Sequence, residues 1–325
     1  MLSNRRTGLL ALTALAPLSW GSTYLVTTSL LPPGRPLLAA TLRALPAGLV
    51  LLALARRLPR GDWWWRSLVL GVLNIGGFFA LLFVAAYRLP GGVAATLGAV
   101  QPLFVAGLGA RLLGVRVPVR VVLAGCAGLA GVALLVLRAQ ARLDALGVLA
   151  ALGGALVMAT GVVLGKRWTS PAPPLATTGW QLTWGGLLLV PLTLWGEGAP
   201  PVPSGENLLG YGYLTVVGTA LAYALWFRGL RALPATEVSF LSLLSPLVAT
   251  LLGLAAGESL TAVQAMGAVV VLGALGVAQG WGRGATAVRG LPRPAAEAPG
   301  RTAPGPTVRS GPRRRGPGRP ASRRG

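Results

Sequence analysis

Between residues 8 and 281 the chain repeats one pattern: about twenty residues almost without charge, then a short gap holding Arg, Pro, Asp or Glu. The apolar runs fall at about residues 8–28, 36–55, 67–86, 92–110, 118–137, 145–165, 175–195, 208–227, 236–256 and 260–281. Each has the length a helix needs to cross ~30 Å of hydrocarbon at ~1.5 Å per residue. Helices are the reasonable spans for such runs, because lipid offers a backbone amide no partner. Composition agrees: 54% of residues are hydrophobic and 11% charged, against about 25% charged in a soluble domain. The first run follows Arg5 and Arg6 and holds Ala14-Leu15-Ala16, the elements of a secretory signal. It continues through Trp20 to Leu30, longer than such a signal, and reads as a span.

Orientation follows from the basic residues in the gaps. With the N-terminus in the cytoplasm, the inner segments hold Arg5, Arg6, Arg56, Arg57, Arg60, Arg66, Arg111, Arg116, Arg120, Lys166, Arg167, Arg228 and Arg231. The outer loops hold only Arg35, Arg88, Arg138 and Arg142, while Glu197, Glu206 and Glu258 also fall outside. Ten spans return the C-terminus to the cytoplasm. The net charge of +22 suggests nucleic acid at first sight, but residues 283–325 hold 11 Arg and one Glu, so that tail supplies +10. Rich in Pro, Gly and Arg, the tail reads as disordered. It is a solvated extension that reinforces orientation, with contact to anionic lipid as the other reading.

The chain also contains itself twice. Leu89-Pro90 is followed by Gln101-Pro102, and Leu233-Pro234 by Ser245-Pro246; in both, the second proline stands 12 positions after the first. A small-residue helix follows each, with Gly125 and Gly131 in one and Gly267 and Gly273 in the other. Pro36 with Arg43 and Pro174 with Gln181 make a second matched pair. The expected fold is therefore all-α and membrane-embedded, with ten transmembrane helices as two five-helix repeats, 1–142 and 143–282, ahead of the 283–325 tail. Five is odd, so the second copy inserts upside down relative to the first, about a pseudo-two-fold axis in the membrane plane.

Several segments carry a family resemblance: Trp20-Gly21-Ser22-Thr23-Tyr24, Arg43 in the second span, Leu89-Pro90 to Gln101-Pro102, Leu233-Pro234 to Ser245-Pro246, and Gly257-Glu258-Ser259-Leu260. Together they resemble the EamA-type transporters of the drug/metabolite transporter superfamily, over about residues 8–282. The resemblance implies export of a small metabolite such as an amino acid, drug or pigment across the inner or plasma membrane. One departure is Gly114-Val115-Arg116-Val117, where the family usually repeats Gly-Glu.

The candidate site lies between the two halves. Pro102 and Pro246 each interrupt a span about ten residues in, ~15 Å deep, and are expected to free the carbonyls of Gly98 and Ser242. Paired interruptions in corresponding spans point to a transport site. Ser19, Trp20, Ser22 and Thr23 lie near the midplane, where Trp could stack on a substrate and the hydroxyls orient it; interhelical packing at Gly21 is the alternative. Tyr24 fits an outer aromatic belt. Arg43 is the charge well inside a span, where it costs ~2.5–3.5 kcal/mol on insertion scales and needs an offsetting role. That role is substrate contact or helix tethering, with snorkelling to the outer headgroups as the alternative. Gln181 is its repeat partner. Asn74, Gln101, Trp180, Tyr223, Ser242 and Ser245 complete the candidates, each of which could equally be an interhelical contact.

With no His, and Cys126 the single Cys, a metal site of those ligands and an internal disulfide are excluded. No cofactor is expected. Asp62, Asp144, Glu197, Glu206, Glu237 and Glu258 all read as loop or span-end residues. A buried carboxylate relay therefore has no evident residue, and the substrate should be neutral, zwitterionic or anionic, with an aromatic one among the candidates. A membrane-embedded enzyme would need a nucleophile, base or metal set that the chain lacks. A nucleic-acid- or lipid-contacting protein acting through the tail leaves residues 8–282 unexplained. The expected partners are a small-molecule substrate and the bilayer, with no nucleic acid; a homodimer is compatible with the sequence.

Overall fold

In a computed structural model, residues 2–89, 94, 97–136, 144–255 and 261–288 are described. Pro90, Arg138, Arg142, the Gly257–Leu260 motif and the chain beyond Val288 lie outside them, as does the side chain of Tyr24. The described residues are helical and include no strand. We number the α-helices α1 Leu2–Trp20, α2 Thr23–Leu30, α3 Pro36–Ala55, α4 Trp63–Gly71, α5 Phe78–Arg88, α6 Gln101–Leu113, α7 Val119–Val136, α8 Ala145–Arg167, α9 Pro174–Glu197, α10 Gly205–Thr215, α11 Ala222–Ala232, α12 Ala235–Leu241, α13 Leu244–Ala255 and α14 Ala262–Val288. The last helix continues past Arg283, where the sequence suggests a disordered tail, because extending a formed helix is cheap once it is nucleated.

Among the described residues, five helical stretches are long and apolar enough to cross a membrane: Arg6–Thr27, Pro36–Ala55, Trp63–Arg88, Ala145–Arg167 and Gly205–Ala232. Large apolar side chains point outward, Leu54 at 67%, Leu149 at 67% and Val269 at 69% exposure. The interior mixes leucines and valines with many alanines and a few aromatic rings, so it is no more apolar than the outer face. An outer face this apolar suits a surface solvated by lipid.

Two stretches depart from α-helix. Val72–Gly77 joins α4 to α5 as a π-helix, and Val216–Leu221 joins α10 to α11 in the same way. They stand at matching places in the two halves. A π turn shifts the bonding ladder by one residue and leaves polar backbone to be satisfied from elsewhere. The two proline segments also match. The chain turns at Ala99-Val100 before α6 and at Ser242-Leu243 between α12 and α13. Here the expectation of proline-freed carbonyls needs correction at Ser242: its carbonyl accepts from the Ser245 amide at 3.0 Å. The backbone tightens into i→i+3 bonds before the proline, and Pro102 sits in the first turn of a new helix rather than kinking an old one.

Helices α3 and α9 form the seam between the halves. Gly48, Gly179 and Gly186 let them meet backbone to backbone: a Cβ on Gly186 would lie 2.6 Å from Leu45 Cα, and one on Gly179 2.9 Å from Leu52 N. Thr41 and Thr193 share a buried hydroxyl bond of 2.7 Å across the same seam. The carboxylate of Glu197 caps the other helix, accepting from the Leu38 amide at 2.9 Å and from that of Leu37. Because neither backbone can yield, Gly179→Ala is expected to cost about 1–3 kcal/mol by overpacking. The purified variant should then unfold at lower temperature in detergent than the parent; an unchanged melting curve would mean that the seam is looser than it looks.

Candidate functional site

A cavity of about 150 Å³ opens where the two broken segments face each other. Helices α1, α2, α3, α5, α8 and α11 wall it, together with the turns before α6 and α13. Trp20, Thr23, Arg43, Gln101, Tyr223, Ser242, Ser245 and Pro246 line it, all marked out by sequence.

The π segment at Val216–Leu221 organises one wall. The Gly218 carbonyl accepts from Trp20 Nε1 at 3.0 Å and from Arg43 Nη2 at 2.9 Å. Arg43 Nε also donates to Thr219 Oγ1 at 2.7 Å, and its guanidinium lies over the Phe79 ring, 4.8 Å from the centre. Arg43 is only 2% exposed, so it does not snorkel to the surface. It ties α3 in the first half to the π segment between α10 and α11 in the second. The opposite half repeats the device without charge: Asn74 Nδ2, in the other π segment, donates to Gln181 Oε1 on α9 at 2.7 Å. Each π segment is thus braced by a polar side chain from the facing half.

An aromatic cluster closes the base. The Trp20 ring lies 5.2 Å from Tyr223 and 5.0 Å from Trp226, and Tyr223 continues to Phe79 at 5.7 Å and Phe227 at 5.6 Å. Three side chains lining the cavity carry a buried polar atom with no hydrogen-bond partner: Thr23 Oγ1, Gln101 Nε2 and Trp226 Nε1. Leaving such atoms unpaired costs ~1–3 kcal/mol each.

The remaining candidates lie elsewhere. Ser19 donates to the Ala16 carbonyl within its own helix. Ser22 donates to the Ser19 carbonyl and meets the Tyr213 hydroxyl at 2.7 Å, fastening α1 to α10. Pro102 is buried at the start of α6 and does not line the cavity. Trp180 donates to the Arg57 carbonyl at 2.6 Å and packs beside Trp63. Asn74 and Gln181 line a second cavity, taken up below. Sequence reasoning missed Trp226, Thr27 and Met158. Trp226 stands three residues after Tyr223, one helical turn on, and that spacing was the available signal. Glu237 does lie at a helix end, in the first turn of α12, but its burial at 1% exposure and its pairing with Arg6 at 2.6 Å are not legible in the sequence.

Comparison with known proteins gives a consistent picture. The profile described as the EamA-like transporter family matches residues 7–137 and again 145–278. Protein PecM of Dickeya dadantii (strain 3937) is 46% identical over 267 residues, 81% of this chain and 90% of PecM. YedA of Escherichia coli (strain K12), called an uncharacterized inner membrane transporter, is 30% identical over 260 residues, 77% of this chain and 84% of YedA. A crystal structure titled only as that of a protein superposes with a TM-score of 0.72 at 25% identity, covering 86% of this chain and 99% of that one.

Proposed function

This chain belongs to the EamA-like transporter family as a multi-pass membrane transporter, and from that premise we propose that it exports a small metabolite by alternating access, driven without ATP. Ten spans form two inverted five-helix repeats, residues 1–142 and 143–282, with both termini in the cytoplasm. One repeat rocks against the other along the α3–α9 seam. The observation that carries this reading is the cavity at the matched breaks, walled by both halves and lined by unpaired buried polar groups.

Those groups also narrow the cargo. Gln101 Nε2 and Trp226 Nε1 are donors, Thr23 can donate, and Arg43 adds positive charge beside Phe79. Acceptor oxygens on the substrate would satisfy them. A cavity near 150 Å³ admits a benzene-sized group, and the aromatic base favours a ring. The cargo is thus a small ring-bearing compound with carbonyl or carboxylate oxygens, neutral, zwitterionic or anionic.

Metabolite profiles of cells with and without the chain test this, read in cytosol and medium. At least one such compound should shift to the medium. Trp226→Phe keeps the ring and removes the unpaired N–H. It should fold at least as well as the parent, yet raise KM for that compound about tenfold, the equivalent of one lost hydrogen bond. Selective loss of quaternary cations from the cytosol would overturn the assignment of cargo.

A further inference from the structure

A second cavity of about 90 Å³ lies farther along α8, past the aromatic cluster, toward the end where Lys166 closes that helix. Met158 lines the first cavity, while Gly161, Val162 and Gly165 line the second, so one helix passes both in succession. Tyr223 lines the first cavity and Phe227 the second, and their rings meet at 5.6 Å, with Phe79 against Tyr223 at 5.7 Å, as an aromatic layer. The walls change character across it. Beside Trp63 and Trp168 stand two cations, Lys166 and Arg231, with the amides of Asn74 and Gln181 at the deep end.

Both cations spend hydrogen bonds on backbone carbonyls. Lys166 Nζ donates to the Arg231 carbonyl at 3.4 Å, a long bond, and Arg231 Nη1 donates to the Ala172 carbonyl. Among the described residues, the ion pairs are Arg6–Glu237, Arg66–Asp62 and Arg88–Asp144, so neither cavity cation has a carboxylate in salt-bridge range; Glu237 acts on Lys166 from farther off and is already paired with Arg6. Lys166 is moreover half-buried, so its charge is incompletely hydrated. It is also the sole lysine in a chain with 28 arginines. Two cations without a salt-bridged carboxylate, in a cavity also lined by two tryptophans, make a receptor for an anionic group on a flat apolar body. The volume falls below the ~150 Å³ that holds a benzene ring, so the cavity takes the anionic head and leaves the rest of the ligand outside.

We propose that this inner cavity is a second binding site, which docks a carboxylate- or phosphate-bearing compound through Lys166 and Arg231 on the cytoplasmic side. The proposal rests on the transporter reading for its direction: the anion is captured here and passes the aromatic layer into the first cavity. The same head-group chemistry is offered by a soluble anion and by an anionic lipid.

The sole lysine makes the test direct. The full chain in phosphatidylcholine nanodiscs is exposed to an amine-reactive ester, and labelling of Lys166 is separated from that of the N-terminus by peptide mapping. Benzoate should slow Lys166 labelling at least fivefold, and benzamide, its uncharged isostere, should leave the rate within twofold. Arg231→Gln should abolish the protection while leaving the unprotected rate within twofold. Protection by added phosphatidylglycerol, and not by benzoate, would assign the same site to a lipid headgroup. Equal protection by benzamide, or none by either anion, would overturn the proposal. Transport that survives such an outcome would leave the first cavity's role standing. Protection that persists when Arg43 and Trp226 variants transport normally would sink that role and keep this site.

Discussion

Arg43→Gln should fold and insert as well as the parent and lose at least tenfold in transport. The expectation comes from two opposed effects on one buried side chain. Removing the charge relieves an insertion cost of ~2.5–3.5 kcal/mol, and glutamine is what the facing half already uses at Gln181. Folding therefore has little reason to suffer. The site does. Arg43 reaches Thr219 Oγ1 and the Gly218 carbonyl at once and stacks on Phe79. Glutamine is too short to make all three contacts. Charge-assisted bonds contribute ~1.5–3 kcal/mol each, enough to account for a tenfold change if one is coupled to the transport step. Arg43→Lys should not rescue, because an ammonium lacks the planar fork that serves two acceptors and a ring together. Detergent melting curves and vesicle transport rates check both halves of the expectation. Normal transport by Arg43→Gln would reduce Arg43 to a tether.

Trp20→Ala is expected to be more severe, abolishing transport and lowering stability by ~3–5 kcal/mol, the range for truncating a packed Trp. The ring fills the space between Tyr223 and Trp226, and its N–H is the second donor to Gly218. Trp20→Phe separates the two contributions. It preserves ring packing and should recover most of the stability, with a transport deficit of about tenfold from the missing bond. Equal transport by the Phe variant and the parent would show that Trp20 acts through packing alone.

Why some of this was legible in the sequence and some was not follows from particular residues. The apolar runs and the doubled Pro90–Pro102 and Pro234–Pro246 spacing marked helices and breaks, because length and proline chemistry act locally. Arg43 was legible because a charge in a span needs a partner. Its partners were not, since Gly218 and Thr219 lie far off in sequence within a π turn, and neither Val72–Gly77 nor Val216–Leu221 holds a proline to announce one. Ser19 reads as a candidate by depth and Trp180 as an aromatic of the second half, but neither depth nor residue type fixes which face of a helix a side chain takes. Glu237 looked like a loop-edge carboxylate, yet a long-range partner, Arg6 at the far end of the sequence, buries it.

The placement of cargo at the breaks is tested most directly by thiol protection. Cys126 is the single cysteine and is exposed on α7, so Cys126→Ser supplies a silent background. Ser245→Cys on that background puts a thiol on the cavity wall, and Ser19→Cys puts a control outside it. The exported metabolite, at a concentration that saturates transport, should slow labelling of Ser245→Cys about tenfold and leave Ser19→Cys unchanged. Unaltered labelling of Ser245→Cys under those conditions would contradict a transport site in this cavity.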